Sequence, residues 1–342
     1  MFVYLIRRLM LMIPTFFGIT LVTFILINLA PGSPIEQKLQ AIRFGAAGGG
    51  AGASSVNSRG DTSVNEEVIE ALKKQYGFDK PIHVRYFIWL KNLSHLDFGD
   101  SFTYQEPVID VIASKLPVSL TFGFFSLILT YIVCIPLGIR KAIKAGTGFD
   151  AFTTVLLNLT YAIPPLILGI FLIVVFAGKL NMFPLGGLQA DDYDSFTTWG
   201  KIVDRAHHFV LPLICYMIGG FTELSILMRN SMLDVIKSDF VRTARAKGLS
   251  ERVVIFKHAL RNALIPIATG LGGFLSVFLA GSIIIEQMFN LDGIGLLGYQ
   301  SVLARDYNVI MGLAFISSVL LMVGRILSDI IYVIIDPRID FK

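Results

Sequence analysis

The stretch DFVRTARAKGLSERVVIFKHALRN, Asp239 to Asn262, crowds guanidinium and ammonium groups into a chain that is otherwise strongly apolar. Arg242, Arg245 and Lys247 can make charge-assisted contacts, and Phe240 and Ala244 among them can fill an apolar groove. That is the chemistry of recognition. Bond-making chemistry finds no matching residues: the five histidines, His83, His95, His207, His208 and His258, form no H-E-x-x-H pair, and neither a G-x-S-x-G elbow nor a G-x4-G-K-[ST] phosphate loop occurs. The expectation is a chain that is not an enzyme, with no catalytic residue, no metal site and no cofactor of its own. Cys134 and Cys215 lie within apolar runs and read as packing residues. Charges inside such runs are functional candidates. Glu223 either lines a substrate pathway or is neutralised by Arg229 or a partner helix. Asn158 and Tyr161 are further pathway candidates. Arg325 and Asp329, four apart, are expected to pair locally. Glu286 and Asp292 flank an outer loop with no evident partners, and His207-His208 is expected in a solvated outer loop.

These residues must be held by apolar elements. Of 342 residues, 54% are hydrophobic and only 16% are charged, where a soluble domain carries about a quarter charged residues. The chain therefore needs lipid as part of its solvent. A crossing takes roughly 20 apolar residues, and six stretches qualify: Leu9–Leu29, Val118–Ile139, Phe152–Ala177, Phe209–Met228, Leu264–Ile285 and Val309–Ser328. The first is too long for a signal-peptide core and reads as an uncleaved span, with Arg7 and Arg8 anchoring it at the inner interface. The class is an all-α polytopic membrane protein with six transmembrane helices. The net charge of +4 sits mainly in short loops, so no nucleic-acid partner is implied.

Short-loop charge sets orientation. Arg140, Lys141 and Lys144 follow the second span. Arg229, Lys237, Arg242, Arg245, Lys247, Arg252, Lys257 and Arg261 lie between the fourth and fifth. The opposite side mixes Lys179, Lys201, Arg205 and Arg305 with Asp191, Asp192, Asp194 and Asp204. Both termini are expected in the cytoplasm of a bacterium, with the protein in the inner membrane. The domain reading is a first helix over 1–30, a periplasmic loop over 31–117, a membrane core over 118–335 and a basic loop over 229–263. Within 31–117, the Gly-rich 44–60 reads as a flexible linker, and 65–95 as a small helical insertion between helices 1 and 2 whose second helix runs Ile82–Leu93.

The basic loop admits three readings: an ordinary orientation-setting loop, a helix lying on anionic lipid, or a docking element that passes a push from a partner into the membrane. Leu233, Ile236, Phe240, Ala244 and Lys247 share one helical face, so a single helix is expected to run to Gly248, which stops it. A second helix, Ser250–Ala263, is expected to start from a Ser250 cap.

At these residues the chain resembles the permeases of binding-protein-dependent ABC importers, whose loop motif is E-A-A-x3-G-x9-I-x-L-P. Here Arg242-Thr243-Ala244, Gly248 and His258-Ala259-Leu260-Arg261 stand at those positions, with the Glu, first Ala, Ile and Pro replaced. The oligopeptide/dipeptide branch is similar more closely, through F-[IV]-R-T-A-R-A-K-G-L at Phe240–Leu249 and R-H-A-L-[RK]-N-A-x-x-P at Lys257–Pro266, with Lys257 for the usual Arg. Arg7–Pro34, Tyr76–Phe102, the LPVSLTFG opening of the second span, Phe289–Gly312 and Asp336–Asp340 also resemble that branch, so the likeness covers nearly the whole chain. The Gly-rich insertion and the DKPIH, GIRKA and DPRIDF wording resemble the Yej-type peptide permeases, a subfamily associated with oligopeptides and with peptide-nucleotide compounds of the microcin C kind.

The resemblance implies a type I ABC importer permease fold and a transmembrane permease subunit moving oligopeptides from periplasm to cytoplasm. It implies a second homologous permease, cytoplasmic ATPase subunits that use ATP and Mg, and a periplasmic or lipid-anchored substrate-binding protein as partners, in a lipid bilayer. The coupling zone it assigns is Asp234 to Leu249, through Asp234, Phe240, Arg242, Thr243, Ala244, Arg245, Ala246, Lys247, Gly248 and Leu249. The rival class is a secondary, ion-coupled transporter of peptides or other solutes. Six spans without visible repeats, and a polar segment at one membrane face instead of mid-depth, argue against it.

Overall fold

The computed structural model describes residues 2–29, 79–271 and 281–335. Among these residues regular structure is helical, with one isolated bridge between Asp100 and Pro107. The helices are α1 (Phe2–Leu29), α2 (Ile82–Leu93), α3 (Val108–Ile143), α4 (Gly148–Ala162), α5 (Pro165–Leu172, running into a π-helical stretch Ile173–Lys179), α6 (Thr198–Ile236), α7 (Asp239–Ala246), α8 (Glu251–Val253, Val254–Ala259 and Leu260–Ala263 in succession, the middle piece π-helical), α9 (Ile283–Met288), α10 (Ile294–Leu303) and α11 (Tyr307–Ile335). The expected helix Ile82–Leu93 is α2, residue for residue. The linker 44–60, the first external helix and part of the expected fifth span, 272–280, lie outside the described residues.

Among the described residues four helices are long and apolar enough to cross a membrane: Arg8–Leu29, Val108–Ile143, Thr198–Ile236 and Tyr307–Ile331. A fifth crossing is formed if α4 and Pro165–Lys179 count as one span, bent by 94°. The bend has a local cause. Ile163 precedes a proline and is extended, at φ −83 and ψ 117, while Pro165 opens α5, where its missing N–H costs nothing. At 39 residues α6 is about 58 Å long, against a hydrocarbon core of about 30 Å. It therefore carries His207 and His208 inside a helix, where a solvated loop was expected. The His207 ring nitrogen lies 2.5 Å from the Met182 carbonyl, and His208 is buried with Nδ1 2.9 Å from the Asp204 carbonyl.

The chain divides into two compact units. One comprises residues 13–114 and 298–316. In it Tyr86 of α2 lies against Phe24 of α1, ring centres 5.3 Å apart, with its hydroxyl 3.0 Å from that of Thr20. Asp306 is fully buried, accepts from Ser101 Oγ (2.5 Å) and the Thr103 amide (3.0 Å), and caps α11 through the Val309 amide.

The other unit comprises 1–12, 115–297 and 317–342. One of its clusters joins Cys134 and Ile139 of α3, Met228 and Met232 of α6, Val241 and Ala244 of α7 and Val254 and Ala259 of α8. A second packs Phe122 flat between Phe209 and Tyr216, with Cys215 beside them. Both cysteines thus sit in apolar packing, as expected. Asp329 pairs with Arg8 of α1 at 2.9 Å and not with Arg325, because α1 lies against α11 at this end while Arg325 points outward.

Lys141 and Arg229, expected as loop charges, belong instead to an ion network. Arg229 donates to both Asp150 oxygens, at 2.8 and 2.6 Å. Lys141 is fully buried, 3.6 Å from the same carboxylate, and donates to Thr153 (3.1 Å) and Thr154 (2.6 Å). Removing Asp150 leaves two cations without their shared counter-charge, and losing one partner of a buried pair costs about 3–5 kcal/mol; removing Lys141 leaves Arg229 and Asp150 as a neutral pair. Asp150→Asn is therefore expected to lower the melting temperature of the detergent-solubilised protein sharply. Lys141→Met, which leaves the bidentate pair intact, is expected to leave it unchanged or raised. Equal losses for the two variants would contradict this account.

Candidate coupling site

The site begins with an interruption. The single helix expected up to Gly248 is broken: α6 ends at Ile236 and Ser238 is extended, at φ −68 and ψ 155, before α7 starts. Ser238 occupies the N-cap position, but its hydroxyl turns back to the Val235 carbonyl at 2.6 Å. The break resets the helical phase. Val241 and Ala244, three apart, form the buried face, whereas Phe240 was expected there and is 45% exposed. The same reset leaves Arg242, Thr243, Arg245, Ala246, Lys247, Gly248 and Leu249 exposed, and Asp234, on α6 before the break, is exposed as well, so of the expected coupling residues Ala244 alone is buried. α7 is thus an anchored rod with an uncovered polar face and one uncovered aromatic ring.

Gly248 ends the rod at φ +78, with no atom within 4 Å of where a Cβ would stand. Only the left-handed backbone requires glycine here. Across this turn Arg245 grips Glu251 with two bonds, at 3.0 and 2.6 Å. The guanidinium hydrogen bond holds the Glu251 carboxyl below the usual carboxylate range. The stabilisation is therefore in place at neutral pH and is lost only as acid passes below that range. Both groups are well exposed, so it amounts to at most about 1 kcal/mol. Arg242 has only a 3.5 Å contact to Asp239 and projects outward, as does Lys247. Ser250 stands at the N-cap of α8 without the expected side-chain bond. The π-helical Val254–Ala259 then carries Lys257 and His258. Such wide turns occur frequently at functional sites.

The three pathway candidates flank one contact between α4 and α6. Thr222 donates to the Leu157 carbonyl at 2.8 Å, and the next residues, Glu223 and Asn158, are both exposed, with Tyr161 exposed one turn further along α4. Arg229 does not neutralise Glu223, because Asp150 occupies it. The sequence did not say how Glu286 pairs; it is fully buried and accepts four hydrogen bonds. The cue available in the sequence was the company of Gly281, Gly293 and Gly295, each without room for a Cβ. Asp292 pairs with Lys115.

Residues 134–341 match the family described as the binding-protein-dependent transport system inner membrane component. The chain is 44% identical to the peptidoglycan transport system permease protein YejB of Agrobacterium fabrum, over 99% of this chain and 98% of that protein. It is 43% identical to the inner membrane ABC transporter permease protein YejB of Escherichia coli O157:H7, over 99% of both. It is 35% identical to the oligopeptide transport system permease protein AppB of Bacillus subtilis, again over 99% of both. A family match that runs from the end of α3 through the α7–α8 loop and α11, joined to 35–44% identity with Yej-type and oligopeptide permeases over 99% of the chain, makes this chain a multi-pass membrane protein of the binding-protein-dependent transport system inner membrane component family.

Proposed function

We propose that the chain is one of two permease subunits of an ATP-driven importer of oligopeptides, with peptide-nucleotide conjugates within its range. In this reading it adopts the six-helix type I arrangement, with both termini and α7 in the cytoplasm and residues 31–117 outside. Separate ATPase subunits bind ATP and Mg, a binding protein delivers cargo, and a second homologous permease completes the pore. The cargo class rests on the relatives, which are named for peptidoglycan and oligopeptide transport. The exposed apolar face of α4 and α5, including Phe152, Leu159, Ile167 and Phe171, suits lipid or the second permease.

One observation carries the docking role. α7 is fixed from below by Val241, with no exposed surface, and presents Phe240, Arg242 and Lys247 outward. A push on that face passes into Met228 and Met232 of α6 and Ile139 of α3 through packed side chains. The test uses single cysteines at Arg242 and Gly248, after replacement of Cys134 and Cys215, paired with cysteines in the groove of the ATPase. The expected result is a crosslink whose yield changes with ATP and whose oxidation stops uptake of a labelled oligopeptide. Sustained uptake in a complex that never crosslinks would return α7 to the role of an orientation-setting loop.

A pair of substitutions separates docking from anchoring. Phe240→Ala is expected to change stability by no more than about 0.5 kcal/mol, as exposed positions do, while weakening ATPase association. Val241→Ala is expected to cost roughly 2 kcal/mol through lost burial and a cavity. Thermal melts and ATPase pull-down read the two effects. If Phe240→Ala is the more destabilising of the pair, the assigned faces of α7 are wrong.

A further inference from the structure

Glu286 stands in the first turn of α9 with no exposed surface. Its Oε1 accepts from Ser119 Oγ of α3 (2.9 Å), the Tyr216 hydroxyl of α6 (3.1 Å) and the Ser282 amide (3.1 Å), and its Oε2 accepts from the Leu296 amide of α10 (2.7 Å). The donors are themselves shared. Ser119 Oγ accepts from the Ile294 amide at 2.8 Å, and the Tyr216 oxygen from the Ser282 amide at 3.1 Å. Gly281 has φ +77, and a Cβ there would stand 2.4 Å from Oε1. No Lys, Arg or His among the described residues pairs with this carboxylate.

A buried carboxylate answered only by neutral donors is an expensive way to hold a turn. What it provides beyond a hydroxyl or an amide is acceptor capacity. Two oxygens take four donors from four segments, and amides of the first turns of α9 and α10 face them. Hydrogen bonds weaken steeply with distance and angle, so no one segment can shift without stranding a donor in a place that water does not reach. The contrast is the α7 side of the same unit, where the contacts are methionine and aliphatic side chains that can slide and repack.

We propose that Glu286 is a positioning residue for transport: it binds the adjoining parts of α3, α6, α9 and α10 into one block that moves as a unit through the cycle. Motion entering at α7 is then taken up elsewhere, at the proline bend between α4 and α5 and at the π-helical turns. This inference rests on the importer reading given above.

The test uses the full complex in lipid vesicles, with both native cysteines replaced. Spin labels at Phe124 of α3 and Ile284 of α9, 54% and 48% exposed, report the distance within the block with and without nucleotide. Peptide uptake per ATP hydrolysed is measured on the same vesicles. The expected result is superimposable distance distributions in all nucleotide states. In E286Q, whose amide places a donor among donors, the distribution broadens and uptake per ATP falls roughly tenfold or more, the scale of one lost bond to a charged acceptor. If E286Q does not accumulate, S119A removes a single donor and is expected to give the same effects in milder form. A distribution that shifts with nucleotide in the unsubstituted chain overturns the proposal. So does a broadened block with unchanged uptake per ATP. If unsubstituted vesicles with all partners present neither hydrolyse ATP nor import peptide, the importer reading fails, independently of the distances.

Discussion

In hydrocarbon there is no water to satisfy an amide or a carbonyl, so every departure from the α-helix must be answered by the protein itself. The features of this chain that matter are the places where that obligation is met by something other than the next helical turn. At Ile163–Pro165 two prolines remove two of the donors that a sharp bend would otherwise strand. Around α9 and α10 the backbone turns twice within a short distance, and its amides are taken up by Ser119, Tyr216 and Glu286. Irregular backbone is tolerated there because side chains from neighbouring helices supply the acceptors.

The two ends of the larger unit solve different problems. At one end, polar groups are buried and fully spoken for, and geometry is specified by directional bonds. At the other, Val241, Ala244, Met228 and Met232 make a core without polar atoms, and the charges of α7 are kept on its outer face. An apolar core tolerates small rotations that a hydrogen-bonded hub does not. The Asp150–Arg229–Lys141 network borders the compliant end and ties α3, α4 and α6 by charge.

Much of this was legible in the sequence because lipid imposes long, simple signals. Four of the six expected spans stand as long apolar helices and a fifth as the bent pair, all flagged by length and apolar content, and α2 was flagged by its aromatic-rich amphipathic pattern. The break at Ser238 was not, since Leu233, Ile236 and Phe240 keep a plausible helical spacing straight through it and only the extended backbone of one residue resets the phase. Ion pairing failed for a related reason. Arg325 and Asp329 have the right separation for a local pair, yet Arg8 takes the carboxylate, and a partner 321 residues away leaves no trace in local spacing. Asp150 was passed over because a lone acid beside a span has no pattern, and its role exists only once α3 and α6 are packed against α4. Within the proposed coupling segment, the choice between Phe240 and Val241 as the outward residue required the fold.

The Arg8–Asp329 pair has a bearing on how the protein is made. The guanidinium of α1 is synthesised 321 residues before its carboxylate. At about 5–20 residues per second this is a wait of roughly 16–64 seconds. A chain arrested before α11 never acquires this carboxylate. The join between the first helix and the last is thus among the latest contacts the chain can make, and it exists only once α11 has been synthesised.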